Sequence, residues 1–98
     1  MMDDLIRAAI AAKQMIAFTY HELQRIAEPH IYGTVRGRHQ LLTYQVGGES
    51  RSGALPNWRR VNLSQVSNIQ LLNQHFGGPR PTPTGRLSHF DEILAMVT

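Results

Sequence analysis

The chain has 98 residues and no cysteine. Disulfides, thiolate metal sites and a cysteine nucleophile are therefore excluded, and an intracellular setting fits. No apolar run approaches the roughly 20 residues that a membrane-spanning helix needs. The opening Met1-Met2-Asp3-Asp4 is acidic where a secretory signal is basic, so no such leader is expected. Catalytic motifs are missing too: there is no G-x-S-x-G, no P-loop and no glycine-rich dinucleotide turn. Five histidines occur, with His21, His30 and His39 nine residues apart, but no H-x-x-H or H-E-x-x-H spacing exists. The expectation is a cytoplasmic protein that is not an enzyme and holds neither a metal nor a cofactor.

Lysine is almost absent: nine of the ten basic residues are arginine, with Lys13 the exception. Acid is scarce in the middle of the chain. From Pro29 to Arg86 there are seven arginines and one acid, Glu49, a surplus of six positive charges. Arginine grips phosphate and carboxylate bidentately and stacks on flat rings. The competing reading of the same surplus is a solubilising surface.

The length argues for one domain with a small core. Leu5, Ile6, Ala9, Ile10 and Lys13 recur at helical spacing behind Asp3 and Asp4, which favour a helix N-terminus. The period then changes to two. Ile16, Phe18 and Tyr20 mark a strand, HELQ a turn, and RIAEPHIYGTV a second strand that Pro29 makes an edge or bends. Gly33 is read as a bulge or a corner. Arg36-Gly37-Arg38 is a tight turn into HQLLTYQV, with Leu41 in the core. GGESRSG, residues 47–53, is a flexible exposed loop before ALPNWRRVNL. LSQV is a short helical turn and SNIQLLN the last strand. About five short strands at close spacing predict a small closed barrel. Residues 77–87 are then a Pro/Gly linker. Residues 88–98 are a short docking helix, with Ser88 and Asp91 as an approximate capping box and Phe90, Ile93, Leu94 and Val97 as its apolar face.

This order of residues resembles the WYL domain, a small Sm-like or SH3-like barrel of bacterial regulators. The resemblance runs from about Leu5 to Phe76. It rests on the amphipathic helix LIRAAIAAKQ and the strand I-x-F-x-Y of Ile16, Phe18 and Tyr20. It rests also on Arg25 to His30, similar to the family's R-x-x-E-P-Y/H, and on VNLSQVSNIQLLNQHF with Leu63, Val66, Ile69, Leu71, Leu72 and Phe76. The name motif falls on His39-Gln40-Leu41, where only the leucine is kept. Two family arginines fall on Asn62 and Gln65, just after Arg59 and Arg60. The resemblance implies a mainly β, five-stranded barrel with an N-terminal helix, acting as a ligand-sensing module of a regulatory type.

The candidate site combines Arg36, Arg38, His39, Trp58, Arg59 and Arg60 as an anion cradle, with Tyr32 and Tyr44 as further stacking faces. The ligand class is a nucleotide or single-stranded nucleic acid. The other functional reading is an interaction module that forms a homodimer through residues 88–98, by exchange between subunits, with no small-molecule ligand.

Overall fold

A computed structural model describes residues 2–50, 54–81 and 89–98. Helix α1 (Met2–Ala12) leads into β1 (Gln14–Tyr20), β2 (Leu23–Val35), β3 (Arg38–Gly48) and β4 (Asn57–Asn62). A 3-10 turn (Leu63–Gln65), β5 (Val66–His75) and β6 (Glu92–Met96) follow. The protein is mainly β, with one antiparallel sheet in the order β4-β3-β2-β1-β5 and β6 added on β2.

The two hairpin turns at either end of β2 share one mechanism. Arg36 and Gly37 both take positive φ (53° and 76°), and so do His21 and Glu22 (52° and 66°). Two successive left-handed residues define the turn whose twist matches paired strands. Glycine meets that demand at Gly37; His21 and Glu22 meet it against side-chain sterics.

The core lies between α1 and one face of the sheet. Ile6, Ala9 and Ile10 of the helix pack with Ile16, Phe18, Leu41, Val61, Val66 and Phe76. Each large aliphatic chain so buried contributes about 1.5–3 kcal/mol. Leu71, whose character fitted the core, is instead exposed on β5.

The sheet does not close. Among the described residues no ladder joins β4 to β5, so the expected closed barrel is corrected to an open sheet. The reason is local. β4 is six residues long and ends at Asn62, whose side chain accepts from the Ser64 N–H and starts the 3-10 turn. The gap is spanned by a side chain: the Tyr20 hydroxyl accepts the Asn62 N–H at 3.2 Å and donates to Gln65 at 3.4 Å.

β2 is central rather than an edge. Pro29, opposite Thr43, is followed by a register shift before Ile31 pairs with Leu42. The proline thus sits beside a bulge, where its missing N–H is tolerated. The expected loop at 47–53 starts later than read. Gly47 and Gly48 extend β3, and buried Gln45 holds the carbonyls of Gly47 and Glu49 at 3.0 and 2.9 Å. The remainder, 51–53, lies outside the described residues.

The C-terminal segment departs most from expectation. Ser88 and most of the linker lie outside the described residues, but Glu92–Met96 is a strand, not a helix. β1 occupies the edge of β2 only as far as Ala27. Beyond it β2 offers unpaired backbone groups, which β6 satisfies through Ile31–Met96, Tyr32–Ala95, Gly33–Ile93 and Thr34–Glu92. So short a helix is marginal in isolation, and pairing decides the outcome.

Replacing Glu22 by glycine relieves one left-handed side chain at the β1–β2 turn. Stability should rise by about 1 kcal/mol, read as a higher urea midpoint at unchanged slope.

Candidate functional site

Alternation along the strands divides the predicted site. Neighbouring residues in a strand point to opposite faces, so Arg59 and Arg60 cannot converge. The β3–β4 register pairs Gln40 with Asn62, Leu42 with Arg60 and Tyr44 with Trp58. Tyr44, Trp58 and Arg60 therefore share the sheet face away from α1, while Arg38 stands at the end of β3 beside the hairpin turn. Tyr32, His39 and Arg59 belong to the other.

On the helix side, a cleft of about 570 Å³ opens beside the β2–β3 turn. Arg38, His39, Asn62, Ser64, Tyr32 and Asp3 line it. Arg38 and His39 are exposed, and among the described residues no carboxylate pairs with Arg38. Tyr32 is only 2% exposed, which removes it as a stacking platform. Its hydroxyl donates to Asp3 at 2.6 Å, and Arg7 donates to the other carboxylate oxygen at 3.0 Å. The Tyr32 bond holds the Asp3 carboxyl below its usual range. Burial, then the Asp3 bond, pushes the phenol up to about 12. Among the described residues, the one acid lining the cleft is thus committed to neighbours.

Arg36 stands at the hairpin tip, where its backbone N–H donates to Asp91 at 2.7 Å. That bond is the main cause of the lowered Asp91 pKa. Arg59 reaches Ser50 at 3.0 Å and the Trp58 carbonyl at 3.2 Å. Arg60 donates to Gln40 at 2.6 Å and lies 4.0 Å from the centre of the Phe90 ring. Desolvation lowers the pKa of its guanidinium. Its flat face, predicted to meet a ligand, meets the protein's own C-terminal segment.

A buried polar cluster was not read from sequence. Glu28 and His30 are 3% and 1% exposed. Arg80 clamps Glu28 bidentately at 2.7 and 2.8 Å, and His30 Nε2 lies 3.0 Å from the same carboxylate. The Arg80 guanidinium also covers the Tyr44 ring at 4.4 Å. Trp58 packs edge-on against both Tyr44 and His30, at 5.1 and 5.0 Å. Tyr44 and Trp58 therefore serve one aromatic cluster built around a salt bridge. Burial acts to raise the Glu28 pKa, but the Arg80 and His30 bonds outweigh it, and the net shift is downward. Burial lowers the His30 pKa, opposed by Glu28. With Glu28 ionised, Nε2 is the protonated nitrogen, and Nδ1 has no hydrogen-bond partner among the described residues. The sequence signal was present: Glu28 stands mid-strand between Ala27 and Pro29, and an acid buried there requires a cation.

No group of acids and histidines among the described residues is arranged to hold a metal, and no described helix is long and apolar enough to cross a membrane. No family model, curated protein or solved structure matches this chain.

The cluster has a pH signature. Both Glu28 and His30 have lowered pKa values in the folded state, so the unfolded chain binds more protons and stability rises with pH. Stability should be complete above the ordinary histidine value of 6.5 and fall below it, with a second loss below the ordinary glutamate value of 4.5. Glu28→Gln should flatten the second phase of a denaturation series across pH. Arg80→Ala leaves a buried carboxylate with His30 as its hydrogen-bond donor but without its cation. Because Arg80 is 44% exposed, the expected cost is about 2 kcal/mol, below the figure for fully buried pairs.

Proposed function

We propose that the chain is a divergent WYL-like module that binds a phosphate-bearing ligand of the nucleotide class. Its sheet would be an open variant of the Sm-like arrangement, in a bacterial regulatory protein of the cytoplasm. The observation that carries the reading is the cleft beside the β2–β3 turn. Arg38 and His39 stand exposed there, Asn62 and Ser64 add hydrogen-bonding groups, and no described carboxylate neutralises Arg38. A helix followed by five antiparallel strands, with a 3-10 turn before the fifth, supports the family reading. So does the R-x-x-E-P-H segment of Arg25 to His30. Asn62, at the position of a family arginine, borders the same cleft, so the ligand need not be the family's own.

The geometry favours a small ligand over a single strand of nucleic acid. Strand binding needs rows of open aromatic faces. Tyr32 is buried, Tyr44 is covered by Arg80, and Trp58 is engaged edge-on.

Calorimetric titration with ATP and with inorganic pyrophosphate tests this. Both should bind at low salt and weaken as salt rises. Arg38→Ala should weaken binding at least about tenfold, the scale of one charged hydrogen bond, while Arg59→Ala should change it little. No binding at low salt, or an Arg38→Ala protein that binds like wild type, would contradict the reading.

A further inference from the structure

Residues 90–97 are held by contacts that an identical segment from another molecule would reproduce. β6 pairs with β2 over Ile31–Thr34. At its two ends the Asp91 N–H donates to the Thr34 carbonyl at 2.8 Å and the Val97 N–H to the His30 carbonyl at 3.0 Å. Phe90 is the side-chain anchor, its ring under the Arg60 guanidinium at 4.0 Å. Gly33 is the notch that admits it. A Cβ at Gly33 would stand 2.7 Å from Phe90 Cδ2 and collide with the Glu92 carbonyl oxygen. Charge agrees with the fit, because Asp91 arrives beside Arg36 and near Arg60. Glycine notch, strand edge, arginine and acidic-aromatic strand together form a receptor and its ligand.

Nothing in this fit requires the two halves to belong to one molecule. From Arg80, which is anchored on Glu28, to Asp91 the chain runs eleven residues further, a reach of roughly 37 Å when extended. The molecule's longest dimension is 29 Å. The segment can therefore reach the groove of a neighbour as well as its own. It also carries an unmet demand. Ile93 and Met96 are 49% and 48% exposed, two of the three large apolar side chains exposed among the described residues. A second molecule drawn alongside would cover them.

We propose that the groove along β2, with Gly33 as its notch and Arg60 as its clamp, takes the C-terminal strand of a second copy of this chain, giving an exchanged dimer. The dimer is independent of the anion cleft beside Arg38.

Complementation between two full-length variants tests the exchange. Gly33→Ala closes the groove but keeps the strand intact. Phe90→Ala damages the strand but keeps the groove. Each alone should sediment as a monomer, and an equal mixture should give a species of twice the mass. A mixture that sediments as two monomers overturns the proposal. If Gly33→Ala fails to fold by circular dichroism, a labelled peptide of residues 89–98 replaces it as strand donor. Phe90→Ala should then capture the peptide at least about tenfold more tightly than wild type, whose groove an intact C-terminal strand already fills at high effective concentration. Equal capture by both proteins, or none by Phe90→Ala, overturns it.

Discussion

The structure depends on an unequal pairing. β2 has thirteen residues and β1 has seven. One edge of β2 is filled by β3 from Arg25 to Val35, but β1 covers only the first part of the other. The remaining backbone groups, from Ile31 to Thr34, must find partners or lose their hydrogen bonds in a partly buried place. The chain meets this need with its last residues. The sixth strand, the Phe90 anchor and the close approach at Gly33 all follow from that one open edge.

The same tail changes what the arginine-rich face can do. Without it, Tyr44 and Arg60 would lose the groups that cover them. With it, Phe90 occupies the guanidinium face of Arg60, and Arg80 both covers Tyr44 and neutralises Glu28. A surplus of positive charge is thus spent partly on holding the chain together. Charge that serves packing and charge that serves a ligand are alike in composition. Only geometry separates Arg38, which faces open solvent, from Arg80, which is bound in a salt bridge.

Much of this was legible beforehand, for identifiable reasons. The helix announced itself through Ile6, Ala9 and Ile10 at helical spacing, and β1 through Ile16 and Phe18 at a period of two. The Arg36–Gly37 turn was visible because glycine marks positive φ. The C-terminal strand was not legible. Phe90, Ile93, Leu94 and Val97 suit a helix, and the open edge that captures them lies some sixty residues away. Closure failed for a similar reason: the Tyr20 bridge to Asn62 and Gln65 leaves no periodic trace. The site was half legible. Arg38, His39 and Tyr32 do line one cleft, but strand alternation sends Arg59 and Arg60 apart. Glu28, the acid that organises Arg80, His30 and the aromatic pair, could be seen as misplaced, though its cation lay in a segment that read as linker.

The central claim is that the open edge of β2 is completed by the C-terminal residues as a strand. Backbone NMR of the full-length protein tests it most directly. The account predicts extended-type carbon shifts for Glu92–Met96 and slow amide exchange at Asp91 and Val97, the donors to Thr34 and His30. Helical shifts over 92–96, or exchange at both amides as fast as in a free peptide, would contradict it.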